Sequence, residues 1–276
     1  MKFYKYHGAG NDFIILEDFS LKFPQDDAAT IAQLCCRRSG IGADGFMLLR
    51  PSSQADFKLL YFNADGYLAS LCGNGSRCAA AMAFDIGISK TSKISFEAFD
   101  GLHTAEILEN TKHHKMVKLQ MSDVVRWDVL PNGLFMDTGS PHLVVEVRDI
   151  ENYDVYTNGK ILRTDFNANI NFIEEKDNRL HIRTFERGVE DETWSCGTGV
   201  TAAALAYFLR QQKRLPIVAR GGDFKVDFAF DNEKFTQIYL TGPTCFVFEG
   251  RFFPPSSPPS GLTHKEVAKE LPPKAL

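Results

Sequence analysis

The 276-residue sequence lacks the features that mark membrane, secreted and nucleic-acid-binding proteins. No apolar run reaches the ~18 residues that a membrane-spanning helix needs. The first residues, MKFYKYHGAGND, contain no apolar stretch of the kind found in a signal peptide. Basic residues are not in excess, because 31 Lys and Arg stand against 35 Asp and Glu. We therefore expect a cytoplasmic globular protein with no membrane or nucleic-acid partner.

The sequence also lacks the cysteine and histidine spacing of a metal site. Six cysteines are present, but Cys72 and Cys78 are too far apart for a CxxC knuckle, and no pair of histidines joins them. In a cytoplasmic protein these thiols are expected to stay reduced. The sequence therefore predicts neither a metal centre nor a disulfide framework.

The periodicity of apolar residues predicts many short strands and few helices. Apolar positions at helical spacing indicate helices at residues 26–38, 76–85 and 200–212. Strands and helices do not alternate strictly, so the pattern indicates the α+β class. The clearest predicted strands cover residues 13–16, 57–62, 117–121, 143–147, 179–185, 225–230 and 245–248.

An internal repeat organises the chain. Cys72 opens the segment CGNGSRCAAAMAF, and Cys196 opens the similar segment CGTGVTAAALAYF. A glycine-led turn into an apolar strand precedes each segment, as GNDF at 10–13 and as GSPH at 139–142. These matches indicate a duplicated unit, and they predict two pseudo-symmetric lobes.

The repeat also predicts the domain boundaries. The stretch PPSSPPSG near the end of the chain has low complexity, which disfavours packed structure. We expect an N-terminal lobe at 1–117 that carries Cys72 and is completed by a strand near 244–253, a C-terminal lobe at 118–243 that carries Cys196, and a flexible Pro-rich tail at 254–276.

A Cys-Gly-x-Gly segment in front of a helix has a specific chemical consequence. The first-turn N–H groups of a helix have no intrahelical partner and carry a partial positive charge. Glycines allow a ligand to approach this backbone closely, which makes a pocket suited to a carboxylate. A thiol in such a place should have a pKa below its usual value of about 8.5. It can then act as a base near neutral pH.

Two matched segments predict more than a single cysteine nucleophile. Inversion of a stereocentre requires a base on one face of a carbon and an acid on the other. Cys72 and Cys196 could supply these groups, one as thiolate and the other as thiol, with roles that exchange with reaction direction. The two helix N-termini would stabilise the negative charge that develops as the α-proton leaves.

Several motifs closely resemble the diaminopimelate epimerase family over about residues 3–252. The order in which they occur makes the resemblance specific, above all FNADG followed by CGNG and ERG followed by CGTG. The matching segments are KYHGAGNDF at 5–13, GIGADG at 40–45, YFNADG at 61–66, CGNGSRC at 72–78, GSPH at 139–142, ERGVEDET at 186–193 and CGTG at 196–199.

The resemblance implies interconversion of LL- and meso-diaminopimelate, a diamino-dicarboxylate, in lysine and peptidoglycan precursor synthesis. It implies two lobes, each with a strongly curved, mostly antiparallel sheet around a central helix. It also implies that no pyridoxal phosphate, metal or other cofactor takes part. A homodimer is expected, with Phe248 at the position of a dimer contact.

The resemblance also assigns roles to matching positions. Cys72 and Cys196 correspond to the acid/base pair, and His142 and Glu186 to residues that tune the thiols. The backbone cradle of the reacting carboxylate corresponds to Gly73, Asn74, Gly197 and Thr198. Recognition of the other amino-acid end, with its ammonium and carboxylate groups, corresponds to Asn11, Asn63, Asn169, Glu186 and Arg187.

The sequence departs from the family pattern at two positions. Gly45 stands where several members carry a substrate-contacting Gln, so no side chain can act there. Ser140 stands where many members carry Asn, so a role is carried over only weakly. These departures leave the proposed chemistry intact and affect the expected recognition of the distal end of the substrate.

Three other functions remain open at this level. A proline or hydroxyproline racemase uses the same two-thiol chemistry, but usually has CGH where this chain has CGNG. An isomerase of the phenazine-biosynthesis type shares the expected fold but lacks the paired cysteines. A non-catalytic small-molecule binding protein could be built on the same scaffold, although retention of both cysteines argues against it.

Overall fold

The computed structural model of the chain describes residues 1–69 and 72–253. The predicted Pro-rich tail at 254–276 lies outside the described residues. Within the described ranges, no helix is long and apolar enough to cross a membrane.

The described chain is rich in strands and contains four helices. The helices are α1 (Ala28–Cys35), α2 (Gly73–Asp85), α3 (Val155–Phe166) and α4 (Gly197–Gln211). The strands are β1 (Lys2–Gly8), β2 (Asn11–Glu17), β3 (Gly45–Arg50), β4 (Phe57–Asn63), β5 (Lys93–Ala98), β6 (Gly101–Asn110), β7 (His114–Gln120), β8 (Trp127–Leu130), β9 (Gly133–Asp137), β10 (Pro141–Glu146), β11 (Asn169–Lys176), β12 (Arg179–Glu186), β13 (Asp191–Thr193), β14 (Ile217–Ala219), β15 (Gly222–Asp231) and β16 (Lys234–Arg251).

The chain divides into two compact units. Among the described residues, unit 1 comprises Met1–Lys115 together with residues 244–253, and unit 2 comprises Met116–Pro243. Strands β7 and β16 each contribute residues to both units.

Unit 1 is a mixed sheet that packs around the buried helix α2. Successive pairs from β1 to β6 are antiparallel, parallel, antiparallel, parallel and antiparallel. The C-terminal part of β16 pairs antiparallel with β1 and extends the sheet beyond its first strand. Helix α2 contacts β1, β2, β3 and β6, and its Ala79, Ala80 and Ala81 are fully buried. Small side chains on this helix therefore allow strands to pack closely against several of its faces.

Unit 2 repeats this construction around α4. The pairs β9–β10, β10–β11, β11–β12, β12–β14 and β14–β15 are again antiparallel, parallel, antiparallel, parallel and antiparallel. Helix α4 contacts β9, β10, β11, β12, β14 and β15, and it buries Ala202, Ala203 and Leu205. The repeat seen in the sequence is thus also a repeat of strand order and direction, and the α+β fold with two similar units is confirmed.

Helices α2 and α4 begin three residues earlier than the periodicity predicts. Each starts at the glycine that follows its cysteine, Gly73 in α2 and Gly197 in α4. Glycine is a poor helix former, so the sequence pattern placed both starts after the glycines. Because the helices start at these glycines, Cys72 and Cys196 are the N-cap residues of the two central helices.

Helix α3 was not predicted from the sequence. Its first half contains Val155, Thr157 and Gly159, which have low helix propensity, and only two of its residues are buried. Packing against the neighbouring strands β11 and β12 offsets this weakness. A Cβ atom at Gly159 would lie 2.4 Å from Cβ of Phe185, so glycine permits close contact with β12. Asp154 caps the helix by accepting a hydrogen bond from Thr157 N.

Candidate active site

The sulfur of Cys72 lies at the N-terminus of α2. Cys72 has an extended backbone, and its Sγ accepts a hydrogen bond from Gly75 N at 3.5 Å. Its thiol also lies 3.7 Å from Oδ1 of Asn11, which accepts a further hydrogen bond from Asn74 Nδ2 at 3.5 Å. Unit 1 therefore brings together Asn11, Cys72, Gly73 and Asn74 from the predicted site.

The side chain of Asn11 is oriented by charged residues behind it. Its Nδ2 donates to Oδ2 of Asp44 at 2.8 Å, which leaves Oδ1 directed toward the thiol. Arg37 bridges Asp44 and Asp12, and Asp12 forms a 2.6 Å ion pair with the buried Lys5. Although burial alone would raise it, hydrogen bonds from Arg37 and Lys5 lower the pKa of Asp12 to about 2.

A buried arginine lies beside the first turn of α2. Arg77 is fully buried, and its Nη2 donates to Oδ1 of Asn74 at 2.7 Å while Nη1 donates to Gly73 O at 3.3 Å. Burial lowers its pKa to about 10, which leaves the guanidinium charged at neutral pH. This charge acts on the thiols of Cys72 and Cys78. The sequence alone predicts no role for Arg77.

The sulfur of Cys196 has different hydrogen-bond partners. Its Sγ lies 3.3 Å from Oγ1 of Thr198, and it makes no hydrogen bond that caps the helix. The Thr198 hydroxyl lies 2.8 Å from Nε2 of His142 and 3.2 Å from Oγ of Ser140. The Thr198 carbonyl accepts a hydrogen bond from Thr138 Oγ1 at 2.8 Å. Unit 2 therefore joins His142, Cys196 and Thr198 in one cluster.

His142 is fully buried in this cluster and uncharged. Burial, together with the positive charge of Arg187, lowers the pKa of His142 to about 3. The imidazole is therefore neutral over the physiological range. It can donate or accept one hydrogen bond at each nitrogen but contributes no positive charge to the thiol of Cys196.

The remaining predicted residues of unit 2 lie next to the cluster. Asn169 donates to Ser140 Oγ at 3.3 Å, and its Oδ1 accepts from Arg187 N at 2.9 Å. The guanidinium of Arg187 donates to Asn167 O, and Oε2 of Glu186 accepts from the Thr193 hydroxyl at 2.8 Å. Asn169 thus links the cluster around Cys196 to the backbone of Arg187. The hydrogen bond from Thr193 reaches Glu186 from the neighbouring strand β13.

Two further predicted positions of unit 1 are Asn63, at the end of β4, and Phe248, on β16. Asn63 ends β4 opposite Gly45, and is exposed at a turn closed by a hydrogen bond from Gly66 N to Asn63 O. A Cβ atom at Gly45 would lie 2.6 Å from the ring of Tyr61, so the tyrosine occupies the space that a larger side chain at this position would need. Phe248 lies on β16 with 44% of its surface exposed, and its ring packs edge-on against Phe3.

The other four cysteines lie outside these clusters. Cys35 and Cys78 are buried, and burial raises the pKa of both thiols, in Cys35 to about 12. Burial also raises the pKa of the half-buried Cys245. Cys36 is less buried than a core residue, and a hydrogen bond from Ser39 lowers its pKa. Cys35 and Cys78 are therefore un-ionised core side chains, whereas Cys36 is partly accessible and its thiol ionises more readily.

Within the described ranges, no group of three or more His, Cys, Asp and Glu side chains could hold a metal ion.

Three polar residues that contact the clusters are not predicted from the sequence: Asn171 and Thr184 in unit 2 and Arg77 in unit 1. All three are buried, and Asn171 interrupts an apolar strand. A buried polar side chain within an apolar strand is the signal that would have found it.

Comparison with known proteins identifies the family. The sequence profile described as diaminopimelate epimerase matches residues 3–127 and 134–247. A curated diaminopimelate epimerase of Flavobacterium psychrophilum is 44% identical over 258 residues, covering 90% of this chain and 99% of the relative. Those of Chlorobaculum tepidum and Aquifex aeolicus are 40% and 35% identical, covering 88% and 91% of this chain and 98% and 97% of the relatives.

Solved structures share the fold at low sequence identity. A phenazine biosynthesis protein of the PhzF family from Bacillus anthracis has a TM-score of 0.74 at 16% identity, with 92% of this chain and 99% of that chain covered. A hydroxyproline epimerase from Agrobacterium vitis has a TM-score of 0.67 at 16% identity, with 91% and 90% covered. The fold is therefore shared among several activities, while the sequence matches show that this chain belongs to the diaminopimelate epimerase family.

Proposed function

We propose that the protein is an epimerase that interconverts LL- and meso-diaminopimelate by a two-base mechanism without a cofactor. The observation that carries this proposal is the pair of N-cap cysteines. In each unit a cysteine precedes the first turn of the buried central helix, within the same Cys-Gly-x-Gly frame. Membership of the diaminopimelate epimerase family supplies the substrate class.

In this mechanism, one cysteine is a thiolate and takes the α-proton of the substrate. The other is a thiol and gives its proton to the opposite face of the same carbon, so that the configuration inverts and the protonation states exchange. The negative charge of the intermediate spreads onto the α-carboxylate. First-turn N–H groups near Gly73, Asn74, Gly197 and Thr198 are suited to stabilise that charge.

The distal end of diaminopimelate carries an ammonium and a carboxylate. Arg187 can form a bidentate pair with the carboxylate, and Glu186 can accept hydrogen bonds from the ammonium. The amides of Asn11, Asn63 and Asn169 can both donate and accept. We assign these five residues to substrate recognition. A substrate without the distal groups would lose these contacts and bind less tightly.

The experiment that tests the function is incubation in D2O. Separate samples receive LL-diaminopimelate, L-proline or no substrate, and α-deuterium and the inverted isomer are measured by mass spectrometry and chiral chromatography. We expect deuterium and inversion with LL-diaminopimelate only. Exchange with proline alone would instead identify a proline racemase, and exchange with neither would identify a binding protein.

A homodimer and a cytoplasmic location are part of the same proposal. Phe248 and its neighbour Val247 are exposed apolar residues on β16, with 44% and 47% of their surfaces accessible. Burial of these two side chains against a second copy would remove their apolar surface from water. Sedimentation of the protein and of Phe248→Glu tests the assignment. We expect the parent protein to be a dimer and Phe248→Glu to dimerise more weakly. A monomeric parent protein would contradict the proposed dimer.

A further inference from the structure

A layer of buried polar side chains lies behind the first turn of α4. His142 and Asn171 are completely inaccessible to solvent, and Thr184 is 3% exposed. They lie on the adjacent strands β10, β11 and β12. Burying such groups is costly unless each is hydrogen-bonded, and here each side chain has hydrogen-bond partners in the layer.

The amide orientation of Asn171 is fixed by the groups around it. Its Nδ2 lies 3.3 Å from the Leu143 carbonyl, which can only accept, and 3.0 Å from Nδ1 of His142. Its Oδ1 accepts from the Thr184 hydroxyl at 3.0 Å. The reversed amide would place two oxygens against each other at Leu143. Asn171 therefore presents an N–H donor to His142.

This donor determines the tautomer of His142. A nitrogen that accepts a hydrogen bond carries no proton, so Nδ1 is bare and the single proton of the neutral ring lies on Nε2. Nε2–H then donates to Oγ1 of Thr198 at 2.8 Å, with Ser140 Oγ at 3.0 Å as the other neighbour. Arg187 is the charged group that acts on the ring, and its positive charge disfavours a second proton.

The tautomer in turn directs the hydroxyl of Thr198. A threonine hydroxyl has one proton and two lone pairs, and Oγ1 of Thr198 has three neighbours in the cluster. These are Nε2 of His142 at 2.8 Å, Oγ of Ser140 at 3.2 Å and Sγ of Cys196 at 3.3 Å. Ser140 Oγ already accepts a hydrogen bond from Asn169 Nδ2, so its own proton is available to Thr198 Oγ1. With its lone pairs taken by the imidazole N–H and the serine O–H, Thr198 directs its proton to the sulfur of Cys196.

The glycine frame of α4 accommodates this arrangement. A Cβ atom at Gly199 would lie 2.3 Å from Oδ1 of Asn171, a distance that no real side chain could occupy. Glycine at this position is therefore required by Asn171 itself. The second glycine of the Cys-Gly-x-Gly segment in unit 2 makes room for the side chain that orients His142.

We infer that Asn171, held by Thr184, is a positioning residue that fixes His142 as the Nε2–H tautomer and thereby turns the Thr198 hydroxyl toward the sulfur of Cys196. A donor at the sulfur stabilises its thiolate form, the form that removes a proton from the substrate. The role of Cys196 in this inference rests on the proposed function. The tautomer and its control by Asn171 do not.

The direct test is ring 15N NMR of the protein labelled at its seven histidines, with His142 assigned by the signals that disappear in His142→Gln. We expect an Nε2–H ring that does not titrate between pH 5 and pH 9. In Asn171→Asp, a carboxylate replaces the donor and should draw a proton to Nδ1. An Nδ1–H ring in the parent protein, or an unchanged ring in folded Asn171→Asp, would overturn the inference.

A matched pair at Thr184 keeps the test independent of whether Asn171→Asp folds. Thr184→Val has nearly the same shape but leaves Oδ1 of Asn171 without its donor, and we expect kcat to fall by about tenfold with little change in KM. Thr184→Ser retains the hydroxyl and should restore kcat to within about threefold of the parent. Equal kcat in the two variants, with equal thermal stability, would contradict the positioning role.

The two readouts separate failure of this inference from failure of the proposed function. If the protein does not epimerise diaminopimelate, the ring spectra of the parent protein and of Asn171→Asp still decide the tautomer. If the protein does epimerise it, an unaltered pH profile of kcat in Thr184→Val would show that the relay does not act on Cys196 and would refute the inference.

Discussion

The two units place their cysteines at the same point of the same frame but surround them with different chemistry. The frame fixes which residues correspond. A Cβ at Gly75 would face Met47 on β3, as one at Gly199 would face Asn171 on β11. The strand partners of these two residues are Tyr61 and Thr184.

The strands behind the two helix N-termini therefore differ in polarity. Unit 1 has the apolar or aromatic side chains of Phe13, Met47 and Tyr61, where unit 2 has His142, Asn171 and Thr184. On the helices the contrast runs the other way. The buried, charged Arg77 of α2 corresponds to the smaller, neutral Thr201 of α4. Both side chains hydrogen-bond the carbonyl of the glycine after the cysteine.

The backbone frame and the surroundings of the thiol can therefore vary independently of each other. The frame requires a cysteine N-cap, glycines and a row of alanines, and both units have these. The thiol of Cys72 interacts with the charged guanidinium of Arg77 and with Asn11, which is held by Asp44. The thiol of Cys196 instead contacts Thr198, which is hydrogen-bonded to the neutral His142. We therefore expect each cysteine to depend on the charged or neutral groups of its own unit.

The largest effect is expected from removal of either thiol. Cys72→Ala and Cys196→Ala should each lower kcat for inversion by ~10³-fold or more, because loss of a general acid or base typically costs 10²–10⁴-fold and both groups are needed. Chiral chromatography of the product measures the rate. Cys35→Ala is the matched control, and it should keep near-parent activity. Retention of a tenth of the parent kcat by either site variant would contradict the assignment.

The ion pair of unit 1 should make a large, pH-dependent contribution to stability. Asp12→Asn leaves the buried Lys5 without its carboxylate, and we expect the free energy of unfolding to fall by about 3 kcal/mol at pH 7. The folded pKa of Asp12 is lowered to about 2, so the contribution is present above its unfolded pKa of about 3.9 and is lost as pH falls toward 2.

Urea denaturation at several pH values measures this difference. The gap between the parent protein and Asp12→Asn should be constant above about pH 5 and should close as the pH falls toward 2. Glu249→Gln is the control, since its pair with Lys2 is about half exposed and should contribute less than ~0.5 kcal/mol. A gap that widens on acidification would show that the charge of Asp12 is not stabilising.

A smaller effect should separate the two glycine frames directly. A Cβ at Gly199 would meet Asn171 Oδ1 at 2.3 Å, so Gly199→Ala should destabilise the protein by about 1–3 kcal/mol and disturb the His142 ring. A Cβ at Gly75 would meet the flexible Met47 Sδ at 3.3 Å, so Gly75→Ala should change stability by less than ~1 kcal/mol. Denaturation midpoints compare the two, and the reverse order would refute the comparison.

The smallest effect is expected for the hydroxyl that replaces Arg77 in α4. Thr201→Val removes one buried hydrogen bond from Thr201 Oγ1 to Gly197 O and should cost about 1 kcal/mol of stability. Thr201→Ser keeps that bond and serves as the control. Equal stability of the two variants, measured by thermal denaturation, would show that the hydrogen bond contributes nothing.

The sequence predicts the repeated Cys-Gly-x-Gly frame because each copy is a short contiguous segment of the chain. Cys-Gly-x-Gly followed by alanines is legible without knowing any long-range contact, and it located Cys72, Cys196 and the two central helices. Family resemblance then supplied Asn11, His142 and Arg187. Strand existence also followed from periodicity, as in β4, β12 and β15.

The unpredicted features arise from contacts between distant segments. Asn171 and Thr184 read as interruptions of apolar strands, and only the register of β11 against β12 places them together. Helix α3 has weak intrinsic propensity, and its close packing on Phe185 cannot be read from its own residues. Arg77 looks like an exposed helix residue until the strands that cover α2 are known.

The decisive measurement for the two-base mechanism is α-deuterium incorporation in D2O by the two cysteine variants, with LL- and meso-diaminopimelate supplied separately. A single remaining thiol can remove and return a proton on one face only. We therefore expect no inversion, and exchange of one isomer by Cys72→Ala and of the other by Cys196→Ala. Exchange of the same isomer by both variants, or inversion by either one, would contradict a mechanism with one cysteine on each face.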